Sequence, residues 1–288
     1  MRIGYTIARF DWPGGPAAIR PNLLKLARTA EDGGLYSLWV MDHFWQISVN
    51  GPAEDPMLEG YTALGFLAAV TERVTLGTMV TGVTYRNPAI LAKTATTLDV
   101  LSGGRAYFGI GAAWYQEEHE GFGVPFPPVK ERFERLEEAI QIANGMWSDS
   151  DSGYQGKHYA PGRLLNIPAA ISSPHPKLLI GGGGEQKTLR LVARYADACN
   201  LFDAGDEFVT HKLDVLRGHC EAEGRDYDAI EKTIMSRLRP DSTAKTVAAR
   251  IEQLRELGFA HVILGAPEAA NDHYLGLAAE IASLTATV

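Results

Sequence analysis

The sequence predicts a closed (β/α)8 barrel of the TIM type with loop insertions, on three observations. Short apolar runs alternate with amphipathic stretches eight times along the chain, and such alternation builds a parallel sheet covered by helices. The 288 residues suit eight such units, since a barrel of this kind takes roughly 250 residues. No linker or shift of composition divides them, so one domain is expected over 1–288, with an insertion at about 148–175. An open doubly wound sheet with a second domain is the rival, and it needs the break that the sequence lacks.

In chain order, residues 2–8 are an apolar run and the first strand. Residues 10–21 hold three prolines and two glycines and read as a loop. Leu23, Leu26, Ala27 and Ala30 then recur at helical spacing over 22–32, and Gly33-Gly34 stops that helix. The second strand is 36–41, followed by an irregular stretch at 44–60 and a helix at 61–71. The third strand is 74–80. Pro88 sits where a helix accepts its first residue, and that helix runs to 101. The fourth strand, 105–110, leads to a short helix at 117–122 and a long one at 130–147. Residues 148–175 interrupt the alternation, and Tyr154-Gln155-Gly156-Lys157-His158-Tyr159 suggests a small hairpin. The last four strands fall at 178–180, 197–201, 231–237 and 260–264, with helices at 185–195, 207–223, 243–257 and 273–284.

Apolar content of 45% and charged content of 22% provide a large core at ordinary globular proportions. A net charge of −8 argues against general affinity for nucleic acid or anionic membrane. No apolar run approaches the ~20 residues that span a bilayer, and the N-terminus has no signal-peptide layout. Cys199 and Cys220 are the two cysteines, which excludes a disulfide framework and fits a reducing cytoplasm.

The stretch around Gly181, Gly182, Gly183 and Gly184 carries the strongest local signal. Four consecutive glycines are costly in backbone entropy. Between a buried strand and a helix start they expose backbone N–H groups with no side chain in the way, which makes an anion site, most often for phosphate. A tight turn alone needs one or two glycines. The run has neither Walker A nor G-x-G-x-x-G spacing.

In a barrel the chemistry lies at the C-terminal strand ends. These place Thr78, Met79 and Val80, then Ala112, Ala113 and Trp114, then the glycine run, Asn200 and Arg237 around one mouth, in a ring short of ionisable groups. No nucleophile-and-base signature is present and no metal site is expected. Glu117-Glu118-His119-Glu120 reads as the solvated face of a helix start or a secondary pocket wall rather than a metal site. Such a mouth suggests that a bound cofactor carries the hard step. Asp42-His43 is the exception: imidazole titrates near neutral pH and suits proton transfer. Gly109-Ile110-Gly111 fits either close packing in the barrel wall or close approach of a flat ring. Phe10, Trp12, Trp45, Tyr85, Trp114, Phe202 and Arg237 are candidates for a substrate wall.

These residues carry a resemblance. Residues 38–43 (Leu-Trp-Val-Met-Asp-His), 76–88, 97–113, 114–126 and 180–200 together are similar to the bacterial luciferase-like flavin and deazaflavin oxidoreductases, and within them to the coenzyme F420-dependent branch. The resemblance covers about residues 1–265. It implies a barrel, a homodimer, and F420 as cofactor, with FMN as the alternative. It implies that Gly181, Gly182, Gly183 and Gly184 hold the cofactor phosphate, and that the ring lies against Thr78, Met79 and Val80, where a non-proline cis peptide is expected. Asp42 and His43 match positions at the ring's reactive face. Ala112, Ala113 and Trp114 match the segment under its edge, and Glu117 a polar contact one turn later. Trp45, Phe202 and Arg237 would face the substrate.

Two departures restrict the substrate. Relatives that oxidise a sugar phosphate carry glutamate at the position of Trp114 and a lysine within 201–205, where this chain has Leu-Phe-Asp-Ala-Gly. Both are missing, which argues against sugar-phosphate oxidation. Residues 240–243 also lack an expected Gly-Thr-Pro. The expected activity is hydride transfer between the deazaflavin C5 and a small organic substrate, with His43 as acid or base. An FMN-dependent monooxygenase and a non-catalytic cofactor-binding barrel are the alternatives.

Overall fold

The computed structural model describes residues 1–266 and 272–286. Eight parallel strands close into a barrel: β1 (Arg2–Ile7), β2 (Ser37–Val40), β3 (Thr75–Thr78), β5 (Ala106–Gly111), β6 (Lys177–Gly181), β7 (Ala198–Phe202), β8 (Glu231–Arg237) and β9 (His261–Gly265). β1 lies between β2 and β9, with Gly4 opposite both Ser37 and Ile263. Closure comes where Leu76 of β3 meets Ala106 of β5. A ninth strand, β4 (Thr81–Gly82), continues that seam by pairing Thr81 with Ile110 and Gly82 with Gly111. Between β3 and β4 the chain steps out of the wall, and the Met79–Val80 peptide there is cis, one of the two expected positions. Gly109 makes room for the step, since a Cβ on it would lie 2.0 Å from the Thr78 carbonyl oxygen. Gly111 does the same against Val80, at 2.9 Å. Packing in the wall accounts for both glycines.

The helices α1 (Pro16–Asp32), α2 (Gly60–Val70), α3 (Pro88–Ser102), α4 (Gln116–Phe122), α5 (Val129–Met146), α6 (Thr188–Tyr195), α7 (Asp206–Glu223), α8 (Ala244–Glu256) and α9 (Asp272–Ala286) ring the barrel. Most boundaries fall within two residues of the sequence expectation. The exceptions are α6, which begins three residues late, at Thr188, and α1, which begins six residues early, at Pro16, and contains Pro21. Proline at a first helical position loses nothing, and the buried stripe of Leu23, Leu26, Ala27 and Ala30 carries the helix through the second one. The expected hairpin near 154–159 is a turn with two ladder-like bonds, Tyr154 N–H to Pro161 O and Gly156 N–H to Tyr159 O, both 2.9 Å, and no strand. Side chains from α5 and α3 pin the insertion instead. Glu138 accepts from the backbone N–H groups of Lys157, His158 and Tyr159, and Asp99 from those of Ile171 and Ser172.

Apolar faces of helices and strands form one large core between the layers. Inside the barrel Trp39, Tyr107, Leu179, Ala198 and Ile263 form a smaller one, with the Trp39 and Tyr107 rings edge to face at 5.1 Å. The N-terminal end of the barrel is stoppered by charge. Glu231 lies 3.2 Å from Arg2, 2.7 Å from Lys177 and 3.3 Å from His261. A shallow cavity of about 510 Å³ lies outside this stopper, so the deep opening is at the other end.

Candidate active site

A cavity of about 670 Å³ occupies the C-terminal mouth, a size suited to a cofactor or small ligand. Every barrel strand contributes to its wall through its end or the loop that follows: Thr6, Asp42 and His43, Met79 and Val80, Ala112 to Trp114, Gly181 and Gly182, Phe202, Arg237, and Ala266. Met41, Ile47, Val49 and Met235 make one side apolar.

Asp42 and His43 are neighbours in sequence that point to different partners. Asp42 accepts from the Gly82 N–H at 3.2 Å and from both terminal nitrogens of Arg86 at 2.8 and 2.9 Å. Arg86 also reaches Glu59 at 2.5 Å. Burial pushes the Asp42 carboxyl up to about 6, against the opposing pull of Arg86. Burial weakens the hold of Arg86 on its own proton, but Asp42 and Glu59 outweigh that and leave it raised. Arg86 is therefore charged, and Asp42 ionises beside it from near-neutral pH upward.

His43 turns the other way. Its Nδ1 lies 3.2 Å from Oε2 of Glu118, while the rings of Trp114 and Tyr115 meet it edge-on at 5.6 Å. A carboxylate partner fixes the proton on Nδ1 and leaves Nε2 for the cavity. Glu118 is fully buried. Its Oε1 accepts from the backbone N–H groups of Phe44 and Trp45, and its Oε2 also accepts from the Tyr85 hydroxyl. Burial alone would raise this carboxyl, but bonds from His43, Tyr85 and Trp45 outweigh it and hold it lowered. The hydroxyl of Tyr85 is raised by burial and by the same carboxylate.

Residues 117–120 therefore divide between the two readings, solvated at the ends and buried behind the cavity wall at the centre. Glu117 and Glu120 are exposed, but Glu118 and His119 are buried. His119 uses both ring nitrogens, at 2.7 Å from Tyr115 O and 2.6 Å from Thr84 Oγ1, and stacks on Tyr85 at 4.4 Å. Burial lowers its affinity for a second proton. α4 has only seven residues, too few for helical periodicity to reveal a buried face. The sequence does not single out Arg86, nor the pairing of Glu118 with His43, because both act across gaps of more than forty residues.

The glycine run divides into separate explanations. A Cβ on Gly181 would lie 2.9 Å from Val80 Cγ1, Gly182 has φ +115°, and a Cβ on Gly184 would lie 2.8 Å from Thr188 Oγ1. Gly183 alone has both ordinary room, 3.7 Å to Cε of Lys212, and no positive φ. The expected helix start is displaced: Glu185 to Lys187 form a turn and α6 begins at Thr188. Lys212 of α7 brings a cation to the loop, 2.5 Å from Oε1 of Glu185.

The remaining candidates separate. Thr78 is buried beneath the mouth, its hydroxyl 2.7 Å from that of Thr81. Ala113 has φ 58° and its carbonyl accepts from Arg132. Trp114 and Phe202 are exposed at the rim, 57% and 58%, and Arg237 lies 3.3 Å from Val49 O and 3.2 Å from Asn50 Oδ1. Glu117 is exposed and outside the cavity wall, and accepts from the Tyr115 hydroxyl at 3.2 Å. Trp45 is also outside, packed on Phe122 at 5.3 Å and over Gly121, because Glu118 anchors its backbone and turns the ring outward. Phe10 and Trp12 pack together with ring centroids 6.1 Å apart, off the cavity. Gly183 and Gly184 stand behind Gly181 and Gly182 and outside the wall. Among the described residues no group of His, Cys, Asp and Glu is arranged to hold a metal, and no helix is long and apolar enough to cross a membrane.

Residues 1–284 match the family model of the luciferase-like monooxygenases. The chain is 32% identical over 250 residues to an F420-dependent glucose-6-phosphate dehydrogenase of Kineococcus radiotolerans, covering 84% of this chain and 68% of that one. It thus spans about two thirds of that relative's length. Two solved structures share the fold: an F420-dependent secondary alcohol dehydrogenase (19% identity, TM-score 0.83, 99% of this chain and 98% of that one) and the EDTA monooxygenase of Chelativorans sp. BNC1 (13%, 0.85, 100% and 93%). With the barrel, the strand-end cavity and a match along almost its whole length, the chain belongs to the luciferase-like monooxygenase family and is an oxidoreductase of that family.

Proposed function

We propose that this oxidoreductase uses coenzyme F420 to move a hydride to or from a small organic substrate, with His43 as the acid or base. One observation carries the proposal: an imidazole, bonded to buried Glu118, lines a largely apolar cavity whose wall also includes the glycine loop. The names of the relatives support the cofactor. The cavity fits it, since the loop from Gly181 to Gly184 carries no side chain and Lys212 adds a cation beside Gly183, while the Gly182 N–H itself is bonded to Asn200 O at 3.0 Å.

When bound, the deazaflavin supplies two-electron hydride chemistry at its C5. The chain's own residues do the rest. Met79 and Val80, together with Ala112 and Ala113 whose backbone Arg132 braces, would hold the ring. Asp42, fixed by Arg86 and the Gly82 N–H, presents a carboxylate edge to the cavity. His43 takes or gives the substrate proton at Nε2, while Glu118 stabilises the imidazolium that forms. The apolar side chains of Met41, Ile47 and Met235 exclude water from the reacting carbon.

The apolar rim of Trp114 and Phe202, without the glutamate and lysine of the sugar-phosphate oxidisers, supports a hydrophobic or flat substrate. A homodimer in the cytoplasm belongs to the same proposal. α3 leaves Ile90 and Leu101 exposed at 64% and 68%, and both cysteines are free and buried. Light scattering is expected to give about twice the 31.3 kDa chain mass; the mass of one chain would refute the dimer. Separate titrations with F420 and FMN test the cofactor, with tighter binding of F420 expected. Preference for FMN turns the reading to the monooxygenase, and binding of neither removes it.

A further inference from the structure

We propose that Lys212 is the cationic ligand of the cofactor's phosphate, and that Glu185 is an internal anion holding Lys212 in place until the phosphate displaces it. The inference rests on the cofactor reading above and adds to it a residue and a switch that the glycine motif does not contain.

The argument starts from Gly183. Its three neighbours in the run have steric or backbone reasons to be glycine, whereas a methyl at 183 would make only ordinary contacts. What lies beside that position is the stem of Lys212, with Cε at 3.7 Å and Cδ at 3.9 Å from the added carbon. A bare backbone here lets an anion approach the loop and the lysine together. Lys212 is well covered, its side chain 12% exposed, and its ammonium sits over the Phe208 ring at 5.1 Å. A covered ammonium needs a counter-anion, because a half-buried charge left alone is strongly unfavourable.

Glu185 is that counter-anion. It directly follows the glycine run, lies 2.5 Å from the Lys212 ammonium, and is 41% exposed. Lys212 and then His211 hold its carboxyl lowered, so it is charged at neutral pH. Exposed ion pairs are weak, so releasing Glu185 costs little. His211 Nε2, 3.0 Å away, remains as a partner for the displaced carboxylate. A phosphate oxygen on Lys212 makes a charge-assisted bond at least as strong as the one it replaces. The loop beyond Gly182, whose own N–H is bonded to Asn200 O, then supplies its N–H groups to the other oxygens. Lys212 thus has a counter-anion in both states, and only the identity of that anion changes.

The test is the dissociation constant of F420 for the intact protein, read by quenching of the deazaflavin fluorescence, in wild type, Lys212→Met, Lys212→Arg and Glu185→Gln. Lys212→Met is expected to weaken binding tenfold or more, and Lys212→Arg to retain most of it. Glu185→Gln is expected to tighten binding several-fold, because the competing anion is gone. Inorganic pyrophosphate is expected to raise the melting temperature of wild type and not of Lys212→Met. Wild-type affinity in Lys212→Met overturns the assignment, as does weaker binding in Glu185→Gln, which would make Glu185 part of the site. If Lys212→Met does not fold, Glu185→Gln decides: unchanged or weaker binding overturns the proposal and tighter binding supports it. Failure of wild type itself to bind F420 overturns the cofactor reading instead, a separate outcome from wild-type binding that ignores Lys212.

Discussion

His43 Nδ1 lies 3.2 Å from Glu118 Oε2, although the residues are seventy-five positions apart and Glu118 has no exposure. One carboxylate ties together the imidazole, the Tyr85 hydroxyl and the backbone of Phe44 and Trp45. Glu118→Gln keeps an acceptor for the backbone but sets an amide against the imidazole or the phenol. A stability loss of roughly 1–3 kcal/mol is expected from the disturbed buried bonds, together with a turnover loss of tenfold or more. Cofactor affinity should stay within a few-fold. Turnover equal to wild type in a folded variant would remove Glu118 from the catalytic argument.

His43→Asn separates proton transfer from packing. The amide fills the wall between Trp114 and Tyr115 but cannot carry a proton near neutral pH. Turnover is expected to fall ~10²–10⁴-fold, with cofactor affinity nearly unchanged. A loss of only a few-fold across the pH range assigns His43 to the wall.

Gly183 distinguishes space from charge. Gly183→Ala is expected to bind cofactor nearly as wild type does, since the added methyl has ordinary room. Gly183→Asp is expected to cripple binding while the barrel stays folded, because its carboxylate repels the phosphate at short range and competes for Lys212. Equal affinities for the two variants, measured by fluorescence titration, would show that the loop does not hold an anion.

At the closed end of the barrel, Glu231 predicts a pH-dependent stability. Burial would raise its carboxyl, but His261, Lys177 and Arg2 outweigh that and hold it down to about 2, from an ordinary 4.5. A lowered acid contributes stability that is present above its unfolded value and is lost as pH falls through the folded one. The contribution is on the order of 3 kcal/mol at pH 6, disappearing between about pH 4.5 and 2. Tyr107, 3.1 Å from Oε2, faces the same carboxylate. Urea unfolding of wild type and Glu231→Gln should show a gap at pH 6 that closes toward pH 3. A gap independent of pH would contradict the assignment.

The barrel and the location of its mouth were legible in the sequence. Both follow from local patterning: apolar runs such as 178–180 and 260–264 are strands wherever they pair, and eight of them without a domain break favour a closed barrel over an open sheet. The sequence also located Asp42, His43, Met79, Val80, Gly181 and Gly182, because residues at strand ends inherit the geometry of the strands. Thr78, Gly183, Gly184, Trp45 and Glu117 lie outside the cavity wall, the last two in a loop and a short helix where neighbouring residues can face opposite ways. Only tertiary structure decided the partners. Glu118 comes to His43, Arg86 to Asp42, and Lys212 to the glycine loop from separate elements. A buried charge is stable only with a counter-charge, and which one it meets depends on how elements distant in sequence pack. Spacing along the chain carries no trace of that choice.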